Sequence, residues 1–285
     1  MSAAGSGTAV PEITSPANPR IKYLVTLRRR RVRDDANVTL AEGFEELDLA
    51  LAAGVRPTAL YYCHALVDAD QLPLAKRAAE AGAEVVSVSE EAFRKVAYRE
   101  SPDGWLAVVP AVDADLAAIE LSGSGAAPLV LVCQGVEKPG NLGAILRTAD
   151  AAGVSAVIAT DPVTDWGNPN VIRASKGTVF TVPVASGTSE QVLAWLAGHG
   201  LALVATTPDA TALLGEADLT GPVAIAVGSE KHGLPPDWLT RADVRLRIPM
   251  FGHANSLNVA TSAAVVCYEA VRQRLQVARQ DSADP

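Results

Sequence analysis

Apolar residues fall along this chain in two patterns, and each predicts a different kind of element. Short runs rich in Val, Leu, Ile and Ala at 38–40, 59–63, 84–88 and 105–109 predict strands in the first part of the chain. Between them, segments with apolar positions at helical spacing predict helices over 44–53, 72–81 and 90–97, the first closed by Gly54 just past its end. A further helix is expected over 20–33. This alternation predicts a small α/β unit over 13–110 with helices lying on its sheet. Residues 111–128, which include Ser122, Gly123, Ser124 and Gly125, read as a linker.

Beyond the linker the pattern changes. Strands are expected at 129–133, 156–160, 179–184, 201–205, 223–227 and 244–248, and helices over 142–152, 190–197 and 256–274. These strands are continuous apolar runs rather than alternating ones, as in strands covered on both faces of a parallel sheet. The expectation is a mostly parallel α/β unit over 129–276. Ligands of such sheets gather beyond the carboxyl ends of the strands, so the loops there are where chemistry should be sought.

Composition narrows the class. At 285 residues, two globular units are the prior, and 49% hydrophobic residues are enough to build cores. Cys63, Cys133 and Cys267 are odd in number and sit apart in apolar runs, which argues against a disulfide framework or a cysteine metal site. The four histidines are scattered without metal-ligand spacing, so no metal is expected. The first eleven residues lack the basic-then-apolar order of a signal peptide, and a cytoplasmic protein without a membrane span is expected. The net charge of −8 speaks against nucleic acid only as an average. Arg20, Lys22, Arg28, Arg29, Arg30, Arg31 and Arg33 form a local basic run with no acid between them. It reads either as a solvated helix face or as an arm that grips phosphates.

Three loops carry more polar chemistry than sheet packing requires. The first, at 134–143, has Gly135, Gly140 and Gly143, with Asn141 placed to cap a helix and Arg147 six residues further on. The second holds Gly228, Ser229, Glu230, Lys231, His232 and Gly233 directly after a buried strand, with Glu230 where a ligand would sit. The third runs from Ile248, Pro249 and Met250 to Ser256, Leu257 and Asn258, with Ser256 as the expected helix cap. Its apolar shelf of Ile248, Met250 and Leu257 beside two amides suits an adenine ring better than an inorganic phosphate.

In this order and spacing the loops resemble the three motifs of the SpoU (TrmH-type) family, the 2′-O-ribose RNA methyltransferases of the SPOUT class. Asn141, Gly143 and Arg147 match N-x-G-x-x-x-R, and Gly228, Glu230 and Gly233 match G-x-E-x-x-G. Ile248, Pro249 and Met250 with Ser256, Leu257, Asn258 and Val259 match I-P-M…S-L-N-V. Arg173 to Gly177, ahead of Phe180 and Pro183, resembles the family's intermediate segment. The likeness covers 129–274; the N-terminal unit resembles, less specifically, the family's L30e-like substrate-binding domain.

The resemblance implies an α/β methyltransferase domain with a deep trefoil knot, S-adenosylmethionine as cofactor, a homodimer, and RNA as substrate. Ribosomal RNA of the 23S class is favoured by the separate N-terminal domain. The alternatives are a tRNA 2′-O-methyltransferase or a non-catalytic RNA-binding protein on the same scaffold. By resemblance Arg147 engages the 2′-hydroxyl, as base or as electrostatic stabiliser, and Asn141, Glu230 and Asn258 organise the catalytic pocket. Thr206, Gly228, Ser229, Glu230, Ile248, Met250, Ser256, Leu257 and Asn258 are the expected cofactor contacts. Arg20, Arg28, Arg29, Arg30, Arg31, Arg33 and Arg173 are the expected RNA contacts. The last helix should carry cofactor contacts and dimer packing. Trp166, in a polar loop, reads as packing or as a base-stacking residue. A nicotinamide enzyme fits badly, because no G-x-G-x-x-G follows a strand with an acidic partner about 20 residues on.

Overall fold

The computed structural model describes residues 12–121 and 127–281. The first eleven residues, and residues 122–126 of the expected linker, lie outside that description. The chain divides into two units: residues up to Val112 with Gly167–Pro169, and Asp113–Trp166 with Asn170 onward. Residues 113–121 are therefore not a free connector. Ile119 sits in the second unit's core, and the Ser186 N–H donates to the Ala114 carbonyl at 2.9 Å. Leu116, Ile119 and Leu121 are apolar, and burying them removes surface from water that a solvated linker would expose.

The first unit runs α1 (Pro19–Thr26), α2 (Arg30–Ala36), β1 (Val38–Glu42), α3 (Phe44–Ala52), β2 (Ala59–Tyr62), α4 (Pro73–Glu80), β3 (Glu84–Ser87), α5 (Glu90–Val96) and β4 (Trp105–Pro110). Its sheet has the order β1-β4-β2-β3; β4 is antiparallel to both neighbours, and β2 is parallel to β3. The single helix expected over 20–33 is two helices. Ile21, Leu24 and Leu27 are fully buried on one face, and Arg33 is also buried at 4% exposure. At about 100° per residue an unbroken helix would point Arg33 away from that face. The break at Arg29, whose backbone is extended, lets both turn inward.

The second unit runs β5 (Leu129–Gln134), α6 (Pro139–Ala152), β6 (Ala156–Thr160), α7 (Pro169–Ala174), β7 (Val184–Gly187), α8 (Ser189–Gly198), β8 (Ala202–Thr206), β9 (Ala212–Leu213), β10 (Val223–Val227), α9 (Pro236–Arg241), β11 (Val244–Arg247) and α10 (Val259–Asp281). The sheet order is β7-β6-β5-β10-β8-β11-β9, and its ladders are parallel. The strand expected at 179–184 is instead a 3-10 turn at Thr178–Phe180 leading into β7. Val179 and Val182 are both buried at i, i+3 spacing, which suits a helical turn and not a pleat. The sequence reading missed α7, α9 and the two-residue β9. No helix among the described residues is long and apolar enough to cross a membrane.

This topology explains why three distant loops meet. The first follows β5 and the second follows β10, which are hydrogen-bonded neighbours. The third follows β11, separated from β10 by β8 alone. Because the ladders are parallel, all three leave from the same edge of the sheet. Arg274 of α10 fastens the opposite edge, donating to the carbonyls of Ala127, Pro128, Leu219 and Gly221.

Candidate active site

The first loop turns at Gly135, whose φ of 61° is costly for a residue with a Cβ. Asn141 is not the cap of α6: that helix begins at Pro139 after Lys138, which puts Asn141 in its first turn with the side chain free to reach outward. Gly143 is needed for close approach. A Cβ there would lie 2.4 Å from the Ala174 Cβ and 2.7 Å from the Ser175 nitrogen. This is how the segment from Arg173 to Gly177 docks on α6, with Arg173 half-buried in the last turn of α7.

The second loop folds back on itself. A Cβ on Gly228 would sit 2.0 Å from the Gly233 carbonyl carbon, and the Gly233 N–H donates to the Ser229 carbonyl at 2.9 Å. Ser229 Oγ accepts from the His232 N–H at 3.3 Å, so this serine serves its own turn. Glu230, at the tip, stays exposed.

The third loop corrects the expected cap. Helix α10 begins at Val259, and the Asn258 Oδ1 accepts from the N–H groups of Ala260 and Thr261 at 3.0 and 3.4 Å. Ser256 lies before the helix and lines a cleft instead. The capping bonds fix the Asn258 amide, whose Nδ2 donates to the Asn141 Oδ1 at 3.2 Å. Asn141 Nδ2 in turn donates to the Glu230 Oε1. One hydrogen-bonded chain, Asn258 to Asn141 to Glu230, thus joins the three loops.

Beside it lies the cleft, lined by Thr206, Ile248, Met250, Ser256 and Leu257 among the expected cofactor residues. The sequence reading missed Thr207, Pro208, Asn255 and Ser262 in this lining. Thr207 and Pro208 follow the end of β8, and that position was the available signal. Gly228, Ser229, Glu230 and Asn258 are not part of the lining. The Thr206 hydroxyl donates to the Ala226 carbonyl at 2.9 Å, so it ties β8 to β10. Arg147 projects from α6, exposed, and no hydrogen bond or ion pair among the described residues occupies it.

The basic run fares differently. Arg33, buried, donates to the carbonyls of Leu27 and Arg28, each at 3.2 Å, and is therefore no phosphate contact. Arg28 donates to the Lys95 and Ala97 carbonyls and lies over the Tyr98 ring. Arg20 is held by Glu84 at 2.8 Å, and Arg30 faces Asp34 at 3.4 Å. Arg29 and Arg31 are exposed, Arg31 with only a 3.8 Å approach to Asp35. Burial pushes the Cys133 thiol up to about 12 and the Cys267 thiol up to about 11, as fits packing residues.

Known proteins resemble this chain in sequence and in fold. A family model described as SpoU rRNA methylase matches residues 128–268, and one described as an MRM3-like substrate-binding domain matches residues 18–107. A 23S rRNA (guanosine(2553)-2′-O)-methyltransferase of Bacillus subtilis, RlmP, is 30% identical over 90% of this chain and 98% of its own length. The crystal structure of an RNA 2′-O ribose methyltransferase superposes with a TM-score of 0.82 at 43% identity, covering 93% of this chain and all of that one. An AdoMet-bound rRNA methyltransferase from Sinorhizobium meliloti gives 0.83 at 30% identity, over 92% and 98% of the two chains. The motif loops, the parallel sheet that gathers them and likenesses spanning nearly the whole chain lead to one placement: this chain belongs to the SpoU rRNA methylase family.

Proposed function

We propose that this chain methylates a ribose 2′-hydroxyl of RNA, with ribosomal RNA of the 23S class as substrate and S-adenosylmethionine as donor. The observation that carries the reading is the Asn258–Asn141–Glu230 chain beside the Thr206–Ile248–Leu257 cleft. The activity of the Bacillus subtilis relative and the cofactor of the Sinorhizobium meliloti structure support the substrate and donor.

The cleft suits an adenosine: Ile248, Met250 and Leu257 give apolar walls, while Ser256, Asn255 and Thr207 offer polar groups. When bound, the donor supplies an electrophilic methyl carbon on a sulfonium. Asn258 and Asn141 fix the loops around that cleft. Arg147, exposed one and two-thirds turns beyond Asn141, faces the developing alkoxide as the 2′-hydroxyl loses its proton. A guanidinium keeps its proton and is a poor base, so its role is to stabilise that charge.

The first unit serves as the L30e-like RNA-binding domain over 13–110, with Arg29, Arg31 and Lys22 the most open cations of its basic run; Arg173 contacts RNA from the methyltransferase domain over 129–276. A second copy of the chain covers α10, where Val265, Tyr268 and Leu275 are 38%, 49% and 55% exposed. The passage from β11 into α10, which packs on α6 and β10, is where the trefoil knot belongs. A ribosomal substrate places the work in the cytoplasm.

The test is to treat unmodified ribosomal RNA and tRNA with the protein and a labelled donor, then map the methylated nucleotide. Label on a ribose of 23S RNA is expected. Donor binding by calorimetry with no label on any RNA would overturn the reading in favour of a binding protein.

A further inference from the structure

Of the two readings of Trp166, packing and base stacking, burial favours packing: it is 2% exposed in the loop after β6, and its indole N–H donates to the Ala185 carbonyl at 3.0 Å. The rest of that loop makes two cross-links, and they reach the two loops joined by Asn141 and Glu230. On one side, the Thr164 hydroxyl donates to the Glu137 carbonyl at 2.6 Å, just ahead of the start of α6. On the other, the Ser189 N–H and Oγ donate to the Asp161 carboxylate at 3.2 and 2.6 Å. The same Ser189 Oγ accepts from the Trp238 indole N–H at 2.8 Å. Trp238 is fully buried in α9, which follows directly on the Gly228–Gly233 turn.

We propose that residues 161–166 brace the first and second loops against each other, which makes Asp161, Thr164 and Ser189 positioning residues for methyl transfer. The inference rests on the function proposed above. Its physical basis is that one side-chain contact, Asn141 to Glu230, spans two loops whose strands end several residues earlier. Asn141 lies seven residues past Gln134 and Glu230 three past Val227, so strand pairing alone does not fix their separation. The second loop is closed on itself at Gly228, and so it moves as one piece with α9. Anchoring Trp238 therefore anchors Glu230. Asp161 adopts a φ of 48°, a left-handed conformation that aspartate tolerates at a cost. Its charge sits at the N-terminus of α8, where the helix dipole favours it.

Thr164→Val keeps the shape and loses the hydroxyl, Thr164→Ser keeps the hydroxyl, and Ser189→Ala cuts the second link. With ribosomal RNA as substrate, Thr164→Val and Ser189→Ala are expected to lower kcat about ten- to a hundredfold, the range that misplacement by an ångström produces. Donor affinity should stay within about twofold, because the brace does not line the cleft, and Thr164→Ser should restore the rate. In a Glu230→Ala background, which removes the acceptor, Thr164→Val should add little, since the brace acts through that contact. NMR gives a readout without activity: the Asn141 side-chain amide protons should lose their Glu230-bound shift in both variants. Wild-type kcat in both variants, equal losses in the two backgrounds, or unchanged Asn141 amide shifts would overturn the brace. A wild-type protein inactive on every RNA would sink the proposed function, and the amide shifts would still decide the brace.

Discussion

Arg147 and Arg33 both looked like residues that meet RNA, and the two units of the molecule use them in opposite ways. In the second unit Arg147 stands exposed on α6, beyond a hydrogen-bonded chain that joins three loops. In the first, Arg33 is buried and spends its guanidinium on the carbonyls of its own neighbours, while Arg28 and Arg20 are held by local partners. A cation within a run of cations says little about where its side chain goes. A cation at fixed spacing from an amide, on a helix that follows a parallel strand, has its direction set by the fold.

The hardest test of this contrast is Arg147→Lys. Keeping the charge but losing the planar fork should cut kcat about 10²- to 10³-fold, with donor affinity and melting temperature unchanged. Turnover close to wild type would remove the distinction between the two arginines. Next in size, Arg33→Met should destabilise the first unit by about 2 kcal/mol in urea unfolding, because it orphans buried carbonyls. Once the variant is folded, its RNA affinity should match wild type, and a selective loss of RNA binding would put Arg33 back among the phosphate contacts. Replacing Arg29 and Arg31 together by Gln should leave stability alone and lower the salt slope of RNA binding by about 1.4, at roughly 0.7 per contact to single strands. An unchanged slope would mean that the run grips no phosphate.

The smallest effect concerns the buried carboxylates of the first unit. Burial lifts Glu42 and Glu46 above their ordinary 4.5 despite the nearby Arg99, and one oxygen of Glu46, Oε2, has no hydrogen-bond partner. The folded state then holds protons that the unfolded chain releases. Their stabilisation is full below about pH 4.5 and is lost as the pH rises through the lifted values. Glu46→Gln should therefore flatten the fall of unfolding free energy above that pH. A variant curve as steep as wild type would show that Glu46 titrates normally.

Much of the site was legible in the chain. Continuous apolar runs such as Leu129–Cys133 and Val223–Val227 indicated doubly covered strands, and the residues after them carried the chemistry. The misreadings share a cause. Ser256 looked like a cap because serine commonly is one, yet Asn258, two residues on, has the capping bonds. The 20–33 helix broke because two inward-facing sets of residues could not share one helical phase. The brace at Asp161 and Thr164 was invisible because its bonds run to residues 28 and 27 positions away.

By itself the sequence determined the alternation of strands and helices, the burial of the central strands and the residue types at the three loops. These follow from periodicity and local chemistry, which act over a few residues. Tertiary structure alone decided that β5 and β10 are neighbours, that Asn141 lies between Asn258 and Glu230, and that Arg33 points inward while Arg147 points out. Those outcomes depend on which distant groups compete for the same carbonyl, amide or buried space, and no local pattern records that competition.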